Sequence, residues 1–297
     1  MSAATGMNNV PDVVVDSARR SHAWVAAFRS VPGIVGLVLM VIVIVLALMS
    51  VFGLTPYDPA HQDVKQSLNP PSAAHWFGTD QFGRDTFSRV AAGLSNSLLI
   101  AIVSVAAAAL VGTLLGVVAG FFLGITDRFV GVITNVLFAF PSLLLALALA
   151  ATLQRSWLTV ALAIAIVYMP IFARVARGPV LSLRTADYVI ASTAIGRGRL
   201  STLFEHVIPN MRSILVVQVT LSLSWAILTE AALSFLGFGT PPPAASLGGM
   251  VYEAQTLSSV APWMLLFPGA ALICAVIGLN LLGDSLRAAL DPKTGGR

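Results

Sequence analysis

What most limits the folds open to this chain is a set of long apolar runs. Six stretches, 32–53, 97–123, 129–152, 157–175, 213–236 and 262–285, pass with almost no charge. About 20 apolar residues in a helix cross a bilayer core about 30 Å thick. Inside hydrocarbon every backbone N–H and C=O must be bonded within the protein, so continuous runs of this kind can only be helices. Composition says the same. Of 297 residues, 57% are apolar and 10% charged, with mean hydropathy +0.88, where a soluble domain carries about 25% charged residues. The expectation is an all-α polytopic membrane protein with six transmembrane helices. Pro141, Pro170 and Pro268 fall within the runs; neighbouring helices in a bundle satisfy the carbonyls that proline frees.

Basic residues orient the runs, because cytoplasmic loops carry the excess of Lys and Arg. With the N-terminus inside, the cytoplasmic side holds thirteen: Arg19, Arg20, Arg29, Arg128, Arg174, Arg177, Arg184, Arg197, Arg199, Arg212, Arg287, Lys293 and Arg297. The outside holds four, Lys65, Arg84, Arg89 and Arg155. Both termini are therefore expected in the cytoplasm. This asymmetry also accounts for the net charge of +4 and the pI near 9.7, and no nucleic-acid partner is needed. The chain divides into a cytoplasmic tail (1–31), a first span (32–53), an extracytoplasmic segment (54–96), a five-helix core (97–285) and a cytoplasmic tail (286–297). The core contains a cytoplasmic loop, 176–212, and an extracytoplasmic loop, 237–261. Residues 1–18 are polar and aperiodic, a composition that builds no packed core. Trp24, Phe28 and Val31 then recur at helical spacing beside Arg19, Arg20 and Arg29. Either a short helix on the membrane surface or a plain basic flank fits them. No A-x-A-like site ends the first run, so a cleaved signal peptide is not expected.

Several chemistries lack their residues. A P-loop needs G-x-x-x-x-G-K-[ST], and neither lysine, Lys65 or Lys293, follows such glycines. Proteolysis within the bilayer needs a nucleophile and a base there, yet His22, His61, His75 and His206 all lie outside the runs. Cys274 is the only cysteine, which rules out an intrachain disulfide and a thiolate metal cluster. Glu230 is the one acid clearly inside a run; an ionisable group there is a functional candidate by default, as a pathway or gate residue. The second run carries Gly112, Gly116, Gly120 and Gly124 at four-residue spacing. At 3.6 residues per turn these form one slowly drifting ridge, which lets helix backbones approach closely in lipid. Tight packing is its expected role, with a place on a solute pathway as the alternative.

Arginines gather in "DYVIASTAIGRGRLSTLFEHVIPN", 187–210, between two apolar runs. A helix-compatible stretch ends at Gly196, a C-cap glycine, with Gly198 close behind. Leu200, Leu203, Phe204 and Val207 then recur at i, i+3, i+4 and i+7, an apolar helical stripe that Pro209 is expected to close. Helix, glycine break and helix form either a lever or an ordinary amphipathic loop. Outside the membrane, Asp80, Arg84 and Asp85 of "FGTDQFGRDTFSR" suit an ion-paired turn, with Gly78 and Gly83 at unusual backbone angles. A contact with a partner is the alternative.

The 187–210 stretch resembles the EAA coupling loop of ABC importer permeases. Ala191 matches the first alanine, Gly196 the glycine, and Ile208-Pro209 the closing L-P. Ile190, Ser192 and His206 depart from the pattern. "FGTDQFGRDTFSR" (77–89), "LSFLGFGTPPPAASLGGM" (233–250) and "PWMLLFPGAALICAVIGLNLLGDSLRAALDP" (262–292) resemble signature blocks of the dipeptide/oligopeptide/nickel permease family, C-type subunit. That resemblance implies a type I importer architecture with cytoplasmic coupling helices in a bacterial plasma membrane. It implies a related second permease completing a heterodimer, two ATP-binding subunits beneath, and an extracytoplasmic binding protein that delivers a peptide. This chain would then be no enzyme and bind no cofactor, ATP and Mg residing on the partner subunits. The residues expected to meet an ATP-binding subunit are Asp187, Tyr188, Ala191, Ser192, Ile195, Gly196, Arg197, Ile208 and Pro209. The extracytoplasmic motif comprises Gly78, Thr79, Asp80, Gly83, Arg84 and Asp85. Nickel or another small ligand is the alternative cargo, and a stand-alone secondary carrier the alternative class.

Overall fold

The computed structural model describes residues 30–290, so the possible surface helix around Trp24 and Phe28 lies outside the described residues. Ten α-helices follow one another: α1 Val31–Val51, α2 Thr86–Phe122, α3 Gly124–Phe138, α4 Ser142–Thr152, α5 Trp157–Leu183, α6 Asp187–Ala194, α7 Arg199–Thr202, α8 Arg212–Phe235, α9 Leu247–Ala254 and α10 Trp263–Leu290. Among the described residues five helical stretches are long and apolar enough to cross a membrane alone: α1, α2, α5, α10 and the unbroken run Arg199–Phe235. The sixth candidate is a pair, α3 and α4, which meets the same test only jointly and is bent by 91°. The expected span over 129–152 is therefore broken, and Pro141 explains it. Its preceding residue is pushed out of the helical region, and Pro141 itself stands in extended backbone at the N-cap of α4.

Side-chain caps, rather than hydropathy, decide where several helices begin. Ser30, Asp85, Ser156 and Ser246 each accept a hydrogen bond from the backbone N–H three residues on, opening α1, α2, α5 and α9, which satisfies one of the orphan donors of a first turn. Asp85 thus starts α2 eleven residues ahead of the expected 97. Helix α5 runs to Leu183, past the expected 175, so 176–183 continue the helix. The expected loop 237–261 contains α9.

The core lies along α2 and α5, which pack against each other over most of their length, with α1, α8 and α10 around them. Between apolar helices in lipid there is little hydrophobic drive, so small residues and polar ties carry the packing. A Cβ at Gly112 would stand 2.3 Å from the Met169 carbonyl, and one at Gly116 2.1 Å from that of Ala173. At Gly120 the nearest atom would be 3.1 Å away. The glycine ridge therefore seats α2 on α5 within the chain. Gly124 is not part of it. It follows the helix break with φ +64° and faces open space. Polar ties join the other spans: Tyr168 Oη to Thr229 Oγ1 at 2.9 Å and Ser224 Oγ to Asn280 Oδ1 at 2.8 Å.

The hydroxyls of Ser30 and Ser285 lie 3.3 Å apart, so the start of α1 and the last turns of α10 share one end of the bundle. Residues 52–85 and the α8–α10 connection share the other, where Trp263 Nε1 donates to the Thr79 carbonyl at 3.0 Å.

Candidate functional site

Residues 184–211 hang between α5 and α8, and their first half ends on a defined motif. Helix α6 stops at Ala194, and Gly196 adopts φ +85°. Gly196 N–H donates to the Thr193 carbonyl and Arg197 N–H to that of Ser192, at 3.1 and 3.2 Å. These are the two bonds of a Schellman ending, which needs a left-handed residue between them. Gly198 then caps α7 in extended backbone.

From Arg199 the chain does not stop at Pro209. Helix α7 passes into a π-helical turn, Leu203–Val207, and a 3-10 turn, Ile208–Met211, and then directly into α8. In a regular α-helix the proline ring would strike the carbonyl four residues back. The widened turn makes room, with Ile208 N–H bonding back to the Leu203 carbonyl. Asn210 Nδ2 takes up the His206 carbonyl at 2.6 Å. The expected apolar stripe splits in two. Leu203 and Val207 are buried against Val117, Ala176, Val180 and Val189, whereas Leu200 and Phe204 are 62% and 59% exposed.

Two ties brace the halves of this loop. Ser192 and Thr202 are buried with their hydroxyls 3.1 Å apart, and Arg197 pairs with Glu205, which also accepts from Ser201 Oγ at 2.7 Å. Ser192 therefore faces inward, unlike its neighbours in the expected contact set. Asp187, Tyr188, Ala191, Ile195, Gly196 and Arg197 are exposed; Ile208 and Pro209 are half-buried. Tyr188, Ile190, Ile195, Leu200 and Phe204 are exposed as well.

At the opposite end the 77–89 block is an ion-paired turn. Gly78 and Gly83 take φ +70° and +71°, and a Cβ at Gly83 would stand 1.7 Å from the Asp63 carbonyl. Asp80 Oδ1 accepts from the backbone N–H of Phe82 and Arg84, while Oδ2 pairs with Arg84 Nε at 2.5 Å. Asp85 caps α2 through Ser88 and meets His75 Nδ1 at 2.9 Å. Sequence reasoning missed Glu253. Its carboxylate lies 3.0 Å from Arg84 Nη2 and 3.5 Å from Arg89 Nη2, fastening the turn to α9. No local pattern signalled it: the block itself balances two arginines with two aspartates, and Glu253 lies 169 positions from Arg84. Thr79, Asp80, Arg84 and Asp85 are all buried, so these side chains are engaged within the chain.

Glu230 has no exposed surface. Its carboxylate accepts from Ser97 Oγ on α2 at 2.6 Å and from Ser234 Oγ, one turn on, at 2.7 Å. Of the two roles open to it, its surroundings build the hydrogen-bonded tie; a solute would find no surface of Glu230 to touch. A second pair escaped the sequence reading: Arg177 grips Asp127 bidentately at 2.6 and 2.8 Å, joining α3 to α5. Among the described residues no group of three or more His, Cys, Asp or Glu stands together as metal ligands.

The family described as "Binding-protein-dependent transport system inner membrane component" matches residues 112–296. Over 274 residues the chain is 40% identical to a dipeptide transport system permease protein of Alkalihalophilus pseudofirmus, covering 91% of this chain and 90% of the relative. It is 42% identical to a probable D,D-dipeptide transport system permease protein of Escherichia coli over 86% of this chain and 87% of the relative. An oligopeptide transport system permease protein of Bacillus subtilis is 38% identical over 87% and 85%.

Proposed function

Because the chain belongs to the family of binding-protein-dependent transport inner-membrane components, and is thus a membrane-spanning permease subunit, we propose that its cargo is a peptide and that it forms half of the pathway. A related permease supplies the other half. Two ATP-binding subunits hold ATP and Mg, and a binding protein delivers the peptide at the far face. The chain itself catalyses nothing. Peptide cargo rests on relatives named for dipeptide and oligopeptide transport. In this reading the end bearing 184–211 is cytoplasmic, by the thirteen-to-four distribution of basic residues.

One observation carries the coupling role. Arg199–Phe235 is a single helical run of 37 residues, so a push on the braced loop moves a spanning helix without a slack joint between. The exposed side chains of Tyr188, Ile195, Leu200 and Phe204 give an ATP-binding subunit something to grip. Gly196→Val strains a left-handed position by about 1–3 kcal/mol, and Ala191→Arg adds bulk and charge to the exposed face. Either change is expected to abolish the stimulation of ATP hydrolysis by liganded binding protein in the purified complex, without preventing assembly. Gly196→Asn, which tolerates left-handed backbone, should retain most of it. Full stimulation in both Gly196→Val and Ala191→Arg would reduce the loop to a surface element.

A further inference from the structure

We propose that a cleft beside the coupling loop binds the phosphate headgroup of an anionic phospholipid. The cleft holds about 340 Å³ and is bounded by the last turn of α2, the end of α5 and helix α6. Two guanidinium groups open onto it, Arg184 at the C-cap of α5 and Arg199 at the first position of α7. Neither has an ion-pair or hydrogen-bond partner among the described residues, whereas Arg84, Arg89, Arg177 and Arg197 each have a carboxylate within salt-bridge distance. Phe121, Phe122, Val189 and Ile190 form the remaining walls.

This combination selects an amphiphile. Guanidinium groups grip a phosphate through paired N–H donors, and the aromatic and aliphatic walls suit the first carbons of an acyl chain. A basic pocket between spanning helices on the cytoplasmic side is where an anionic headgroup gains most, since that leaflet carries the negative surface potential. Phe122 is the last residue of the spanning helix α2, so the cleft lies at the loop-bearing end of that helix. Its floor includes α6, which places the lipid against the loop that moves. The inference rests on the proposed orientation of this end towards the cytoplasm.

The test uses the assembled complex in nanodiscs of phosphatidylethanolamine with a minor share of phosphatidylglycerol. Lipid retained through purification is then identified by native mass spectrometry. Wild type is expected to keep phosphatidylglycerol in preference to phosphatidylethanolamine. The double variant Arg184→Gln/Arg199→Gln should lose that preference by roughly twenty-five-fold, about fivefold per arginine. Arg184→Lys/Arg199→Lys should keep much of it, and Arg128→Gln, on exposed α3, should leave it unchanged. Equal loss in Arg128→Gln would mean diffuse attraction to a basic surface and overturn the site. So would the absence of any preference in wild type. Because the readout is bound lipid, it is independent of ATPase stimulation: a failed coupling reading leaves the lipid result standing, and the reverse also holds.

Discussion

Glu230 is a carboxylate in a spanning helix whose bonds go to two neutral hydroxyls, Ser97 and Ser234. Removing its polar end leaves both hydroxyls without their partner in a buried place. Glu230→Leu is therefore expected to destabilise the complex by about 1–3 kcal/mol, measured by thermal unfolding in detergent. Glu230→Gln can remake both bonds, since an amide accepts and donates, and should cost less than about 1 kcal/mol. Because Glu230 is fully buried, the same substitution should change the uptake of cationic, neutral and anionic peptides in equal proportion. Selective loss of cationic peptides would establish that Glu230 reads substrate charge and that the buried arrangement opens during transport.

Among the elements, α2 and α5 depend on three glycines that hold two backbones together. A single methyl at Gly116 would meet the Ala173 carbonyl at 2.1 Å, so Gly116→Ala must already force the helices apart. Overpacking of this kind costs about 1–3 kcal/mol, and Gly116→Leu more. Both should lower the yield of folded chain even without its partners, since the contact is internal. Gly131→Ala in α3 is the control: nothing lies within 4 Å of its Cβ, and alanine there should be neutral or slightly stabilising. At the other end, Glu253 fastens the 77–89 turn to α9. Glu253→Gln leaves Arg84 and Arg89 sharing Asp80. The expected loss is about 2–3 kcal/mol, below that for a fully buried pair, because Glu253 keeps 28% of its side-chain surface. Limited proteolysis should then cut within 54–76 faster than in wild type; an unchanged digestion pattern would show that the turn holds without α9.

For the whole molecule the decisive question is which end faces the cytoplasm. Ser72 and Ile195 lie at opposite ends of the bundle, and Ile195 is 82% exposed. Cysteines placed at each, in a Cys274→Ala background, should react with a membrane-impermeant maleimide from opposite faces, Ile195→Cys only after the cytoplasmic side is opened. Labelling of both from outside would invert the arrangement and remove the loop from any ATP-binding subunit. The braced loop and the unbroken run into α8 make this orientation consequential, because they join whatever docks at one end to a helix that reaches the other.

The sequence by itself determined what depends on solvent and on local backbone preference. Runs of apolar residues marked the spans, because a bilayer core requires about 20 apolar residues with their backbone groups bonded within the protein. Gly196, Gly78 and Gly83 marked turns, because only glycine takes positive φ without cost. Tertiary structure decided what depends on partners distant along the chain. Glu253 meets Arg84 across 169 positions and Ser97 meets Glu230 across 133, and no periodicity records such pairings. The ridge glycines announced close packing but not its partner; only the approach of α5 identified it and set Gly124 apart. Pro209 read as a stop because its missing N–H ends a regular helix. The chain instead widened one turn and carried on, since Leu203, Val207 and Met211 had a buried surface to reach.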